Sequence, residues 1–246
     1  MWSVSLGPAA IPARDMVDAV VAFDGSRAHL VIVTIRLPRV LAGLLAGAAL
    51  AVAGAIMQAI TNNPLASPSL LGINAGAAFA VVLAISIFGT GAQHTFVWAA
   101  FAGAAVSAVL VSLVGSIGPA RRAPVKLVLA GAVLTAFLTS LTTAILIYDR
   151  TALDSVRLWT AGSLTGRTMD EVRAVVAKSL GQSPVVWLGC AAGIVILLAG
   201  GAVALAGPIG FVGLVVPHVV RLSAGPDHRW LLPFAAVGGG LLVLTA

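Results

Sequence analysis

The chain of 246 residues carries four histidines, one cysteine, eight carboxylates and fourteen lysines or arginines. His29, His94, His218 and His228 are far apart, with no i, i+4 pair, so they do not make the clustered ligand set that a metal needs. Cys190 sits alone inside an apolar run; no internal disulfide can form, and thiol chemistry has no partner residue. No paired Ser/His or Cys/His arrangement occurs, and the long apolar runs hold no carboxylate. Those absences argue against an intramembrane enzyme, and equally against an ion-coupled secondary carrier, which places ionisable groups inside its spans; His218 is the one candidate for such a group. The phosphate-cradling pattern G-x-x-x-x-G-K-[ST] is absent as well, so any nucleotide hydrolysis must be supplied by another chain and no cofactor is expected here.

The polar residues that remain stand at marked places. Arg36 and Arg39 bracket Leu37-Pro38 just before a long apolar run. A guanidinium fork binds a carboxylate bidentately and keeps its charge at any working pH, although cations beside a span also serve as interface anchors. Asn63-Pro64-Leu65 follows the same run. Asn63 offers two donors and an acceptor where few other polar groups lie, and Leu65 is bulky enough to plug a passage; the same three residues also read as a helix C-cap and a turn. The likeness to the Asn-Pro-Ala loops of water channels fails, because that fold needs two such loops and neither Pro208 nor Pro217 follows an Asn. Arg121, Arg122 and Lys126 form the densest purely cationic loop, which argues for the cytoplasmic side. Ala177-Lys178-Ser179-Leu180-Gly181 is, on its residues alone, a polar connector.

These groups must be positioned by elements that the charge pattern exposes. No Asp, Glu, Lys or Arg lies between Arg39 and Arg121, between Lys126 and Asp149, between Lys178 and Arg221, or after Arg229, so all 22 charges fall into four clusters. A soluble fold needs charge spread along its surface, whereas a spanning helix needs about 20 apolar residues to cross a hydrocarbon layer of about 30 Å. With 60% hydrophobic and 9% charged residues, the chain reads as an all-α integral membrane protein. The formal charge of +6 sits in short stretches flanking apolar runs, as topology requires, and does not imply nucleic acid. Predicted spans are Leu37 to Ile60, Leu70 to Phe88, Thr95 to Ile117, Leu127 to Tyr148 and Val185 to Leu205. Ile11-Pro12-Ala13-Arg14-Asp15 opens an amphipathic helix, and Asp149 to Lys178 is interfacial. Gly207-Pro208-Ile209-Gly210 breaks the helix, leaving Phe211 to Val220 too short to cross alone; a broken helix is tolerated only where protein or a hydrated cavity covers its freed backbone groups. Leu231 to Ala246 forms the last run. Gly43 with Gly47, Gly72 with Gly76, and Gly189 with Gly193 are spaced four apart, a spacing that lets helices approach closely.

Three stretches carry a family resemblance: RLPRVLAGLLAGAALAVAGAIMQAITNNPLASPSLLGINAG from Arg36 to Gly76, KLVLAG from Lys126 to Gly131, and GPIGFVGLVVPHVVRLSAGPDHR from Gly207 to Arg229. The chain resembles the FecCD-type permeases of bacterial ABC importers for iron-siderophores, haem and vitamin B12. The resemblance implies a polytopic helical bundle forming one transmembrane permease domain over residues 1–246, in the bacterial cytoplasmic (inner) membrane. It implies a ferric siderophore or related large chelate as cargo, a second permease subunit as homo- or heterodimer, two ATPase subunits that bind the ATP, and a periplasmic or lipid-anchored substrate-binding protein. By the same resemblance Arg36 and Arg39 look like the arginines that dock the binding protein. Asn63, Pro64 and Leu65 resemble the cytoplasmic gate, and Ala177 to Gly181 resemble the segment that couples to the ATPase. Any iron would arrive already chelated.

The chain departs from the family pattern in three places. Met1 to Leu6 stands where a first helix is expected, the final run stops short of a tenth helix, and most of one helix is missing between Met169–Arg173 and Ala177–Gly181. Each helix reverses the side on which the next loop lies, so this last loss would invert Val185 to Ala246 unless Val172 to Leu180 crosses, a short stretch that holds Arg173 and Lys178; an incomplete non-functional permease fragment is the other reading.

Overall fold

A computed structural model describes residues 18–19, 21–61, 63–89, 93–117, 123–150, 152–154, 156, 191–225 and 227–245. These residues are helical wherever they are regular: α1 (Arg27–Val31), a π turn (Ile32–Arg36), α2 (Leu37–Thr61), a 3-10 turn (Pro68–Leu71), α3 (Ile73–Phe88), α4 (Gln93–Ser116), α5 (Ala123–Tyr148), α6 (Ala191–Ala206), α7 (Val212–Ala224) and α8 (His228–Thr245). Three helical stretches, Arg27–Ala59, Thr95–Gly115 and Val125–Tyr148, are long and apolar enough to cross a membrane.

The first of these runs without interruption through a proline. Pro38 cannot donate to the carbonyl of Thr34, and its ring would collide with that carbonyl in a regular helix. The π turn immediately before it widens the ladder: the Leu37 N–H reaches back to the carbonyl of Ile32. The hydroxyl of Thr34 bonds the Leu30 carbonyl at 2.6 Å. Pro38 ends up fully buried and the helix continues to Thr61.

The second predicted span is corrected. Pro68 forces the chain into a 3-10 turn, Gly72 takes the left-handed conformation (φ 67°), and α3 begins only at Ile73, leaving 16 residues, or about 24 Å, too short to cross straight. A Cβ on Gly72 would meet Thr135 and Leu134 of α5, so the turn rests against that helix. Ile73, Pro68 and Ala66 are buried: the chain re-enters the bundle after Thr61 instead of running along its surface.

Packing rests on small residues. Between lipid-facing helices the hydrophobic effect adds little, and close backbone approach supplies dispersion instead. A Cβ on Gly47 would strike the Gly239 carbonyl of α8, one on Gly54 the Gly213 carbonyl of α7, and one on Gly103 of α4 the Gly76 carbonyl of α3. Of the predicted pairs, Gly47 and Gly76 thus make close contacts. Gly72 instead forms the turn before α3, and Gly189 lies outside the described residues.

Two helices run antiparallel to α4. Ile117 at the end of α4 accepts a bond from Lys126 near the start of α5, and Leu110 shares a groove with Val133 and Phe137, so α4 and α5 form an antiparallel hairpin. Gly200 of α6 faces Phe101 and Ala104, while Val195 and Ile196 share a cavity with Ala108 and Leu113; α6 is therefore also antiparallel to α4. It follows that α5 ends and α6 begins at opposite ends of α4. Tyr148 and Ala191 therefore lie toward opposite faces of the bundle, the arrangement that the sequence allows only if the stretch between them crosses.

Candidate functional site

Polar side chains are few enough in this bundle that each marks a place where the fold gives up simple apolar packing. At one end of the long helix, Arg36 closes the π turn, half-buried, and Arg39 lies one turn on, exposed. From Arg39 to Asn63 the rise is about 36 Å, so the two sites sit at opposite ends of a bilayer-length helix.

At the far end the Asn63 N–H bonds the Gln58 carbonyl at 3.2 Å, one residue beyond the helical pattern, and so unwinds α2. Its side-chain oxygen accepts from the Leu65 N–H at 2.9 Å, and its carbonyl accepts from Ala66 at 3.1 Å. This Asx turn throws Pro64 outward and leaves Leu65 66% exposed. The turn geometry that sequence offered as one reading is present, and it presents the Leu65 side chain to open space. Ala177, Lys178, Ser179, Leu180 and Gly181 lie outside the described residues, as do Arg121 and Arg122.

The predicted break after α6 lies inside the bundle, and what holds it there is a feature that sequence reasoning missed. Gly207 turns left-handed (φ 79°), the Ile209 N–H bonds the Gly207 carbonyl at 2.9 Å, and the Val212 N–H bonds the Gly210 carbonyl at 2.8 Å. Two successive γ turns result. The second is centred on Phe211 at φ 65° and ψ −33°, the rare form that L residues avoid, at a cost of about 1–3 kcal/mol. Two amides hold this break: buried Gln58 of α2 donates to the Leu214 carbonyl at 3.4 Å, and half-buried Asn74 of α3 donates to the Ile209 carbonyl at 3.2 Å. Their own oxygens, Gln58 Oε1 and Asn74 Oδ1, are the buried side-chain polar atoms without a partner among the described residues. Each orphan acceptor costs about 1–3 kcal/mol. Both amides stood in the sequence as isolated polar residues among Ala, Gly and Ile, which is the signal that could have found them.

Two further features flank these. A groove of about 650 Å³ lies between α4 and α5, walled by Val114, Leu129, Val133 and Phe137, with Lys126 at one end. The outer face of α5 is exposed through Val128, Leu129, Val133 and Phe137. Within α1, His29 is buried with Nδ1 2.8 Å from Oδ1 of Asp24, which precedes the helix, and 3.3 Å from the Asp24 nitrogen. With a proton Nδ1 donates to the carboxylate; without it, Nδ1 accepts from the backbone. The Asp24 carboxyl is held below the usual carboxylate range by the backbone N–H of Ser26 first and the Ser26 hydroxyl second. Asp24 is thus a carboxylate near a histidine that sequence reasoning overlooked. Among the described residues no group of three or more His, Cys, Asp or Glu is arranged to hold a metal, and His218 is exposed on α7.

Comparison with known proteins adds an independent line. The sequence profile of the FecCD transport family matches residues 1–176 and 174–246, dividing where sequence analysis places the missing helix. The ferric enterobactin transport permease FepD of Escherichia coli is 38% identical, the match covering 99% of this chain and 81% of FepD. That match spans 270 positions against 246 residues here, so at least 24 residues of FepD have no counterpart in this chain. The Fe(3+)-citrate import permease YfmD of Bacillus subtilis is likewise 38% identical, covering 99% of this chain and 80% of YfmD. Among solved structures, a metal-chelate type ABC transporter in an inward-facing conformation superposes with a TM-score of 0.78 at 25% identity, over 99% of this chain and 83% of the other.

Proposed function

The chain belongs to the FecCD transport family, and from that premise we propose that it is the permease subunit of an ABC importer, passing a ferric siderophore or related large chelate across the bacterial cytoplasmic membrane. The observation that carries the reading is that near-complete alignment to two iron-chelate permeases coincides with a bundle whose apolar runs hold no catalytic group and no nucleotide-binding loop. A chain so built accumulates cargo against a gradient only if energy enters through a partner.

In this reading the whole of residues 1–246 works as one domain, beside a second permease subunit. ATP binds to separate ATPase subunits and needs no cofactor in this chain. Arg36 and Arg39 meet carboxylates on a substrate-binding protein at one face. Leu65, thrown outward by the Asn63 turn beside Pro64, narrows the passage at the other. Ala177 to Gly181 receives the ATPase stroke, and an exposed, short coupling element moves attached helices as levers.

Complementation tests the reading. Cells deleted for their own ferric-enterobactin or ferric-citrate permease, given this chain with the ATPase and binding protein encoded beside it, should regain growth on one such chelate as sole iron source. Failure on ferric enterobactin, ferric citrate, haem and cobalamin alike, with the chain present in the membrane, would refute it.

A further inference from the structure

The break between α6 and α7 combines two observations that stability alone does not explain. Phe211 holds a strained backbone with its ring 78% exposed, so no buried contact of the side chain compensates for the strain. Gln58, 3% exposed, and half-buried Asn74 each enclose an amide oxygen that finds no donor among the described residues, where an apolar side chain of equal volume would leave nothing unpaired. Strained backbone and half-paired buried groups persist when function requires them.

The geometry gives that requirement a form. Gln58 lies five residues before Asn63 on α2, and its carbonyl accepts the Asn63 N–H. Its amide reaches forward to Leu214, three residues past the strained Phe211. Asn74, on the first turn of α3 beyond the same outward turn, grips Ile209, two residues before Phe211. The arm from Gln58 through Asn63–Leu65 to Asn74 therefore holds the hinge from both sides. Pro217 contributes too: it lacks the N–H that would pair the Gly213 carbonyl, and that carbonyl packs on Gly54 of the same arm.

Resting on the permease reading, we propose that Gln58 and Asn74 are positioning residues that tie the strained Phe211 hinge to the α2–α3 arm, so that the hinge and the Asn63–Leu65 turn move as one unit during the import cycle. Stored strain at Phe211 biases the hinge to shift when the ATPase pulls on the bundle, and the two amides transmit that shift to the turn carrying Leu65.

The test uses the complete transporter in proteoliposomes with ferric enterobactin and ferric citrate as probes, and reads ATP hydrolysed per chelate imported. That ratio does not depend on how much protein folds. Gln58→Met and Asn74→Leu remove the ties while filling the same space, and Phe211→Gly removes the strain. All three should raise the ATP cost per chelate by about tenfold, a typical coupling strength, while the melting temperature in detergent stays level or rises. An unchanged ratio in the tie variants overturns the proposal, whatever their stability, and assigns the amides a structural role. If the unaltered chain imports neither chelate under ATP, the permease reading fails first and takes the hinge with it.

Discussion

Gly54 of α2 packs face to face with Gly213 of α7, so closely that a methyl group on either would have to displace backbone. The contact fixes α7 against the long helix just past the strained break, and Pro217 leaves the Gly213 carbonyl free to meet it. Replacing Gly54 by Ala should destabilise the bundle by about 1–3 kcal/mol or more, the usual cost of overpacking. Gly210→Ala, with open space around the new Cβ, should change stability by less than about 0.5 kcal/mol. Thermal unfolding in detergent separates the two, and equal effects would contradict the close approach.

Arg36 and Arg39 should matter to docking. Changing both to Glu reverses two charges on one end of a continuous helix, and affinity for the cognate binding protein should fall by about tenfold or more, as for charge reversal across a polar interface. Surface plasmon resonance on nanodisc-held transporter reads it; unaltered affinity removes these arginines from the docking surface.

The turn before α1 carries a pH dependence of defined sign. A carboxyl whose folded-state pKa is depressed stabilises the turn while ionised, so the contribution of Asp24 is present at neutral pH and is lost as pH falls below 3.8, its ordinary value. Ser26→Ala removes the hydroxyl but keeps the backbone N–H, so the Asp24 midpoint should move only part of the way back. NMR titration of the Asp24 side chain measures it, and a midpoint at or above the ordinary value in the unaltered chain would contradict the hydrogen-bonded turn.

Topology offers a labelling test. In a Cys190→Ser background, Tyr148→Cys and Ile117→Cys stand at opposite ends of the α4–α5 hairpin and should react with impermeant maleimide from opposite faces of sealed vesicles. A cysteine at Ala191, where α6 begins, should share the face of Ile117. Labelling of Ala191→Cys from the face of Tyr148 would restore the inverted arrangement that the apparent loss of a helix suggested.

Sequence revealed most of what charge and hydropathy control. Thr95 to Ile117 and Leu127 to Tyr148 became α4 and α5 almost unchanged, and the break at Gly207–Gly210 was visible because glycine and proline interrupt an apolar run. The start of α3 was misplaced because the apolar residues Leu70 and Leu71 hide a 3-10 turn set by Pro68 and Gly72. Direction along the bundle stayed open in the sequence, because a missing helix implies inversion only if the remaining connector does not cross, and that depends on tertiary packing of α6 against α4. Gln58 and Asn74 went unremarked because a lone amide has no local signature; what makes each notable is a carbonyl more than a hundred residues away. The π turn escaped for a similar reason, since its cause is a clash between Pro38 and Thr34.

On the permease reading, this bundle conducts only when driven from outside itself. Purified chain reconstituted with its ATPase and loaded binding protein should accumulate ferric enterobactin or ferric citrate inside proteoliposomes when ATP is supplied, and should stop when the ATPase is omitted or its nucleotide site is inactivated. Accumulation that continues at the same rate without a hydrolysing partner, or that follows an imposed ion gradient instead, would contradict the account.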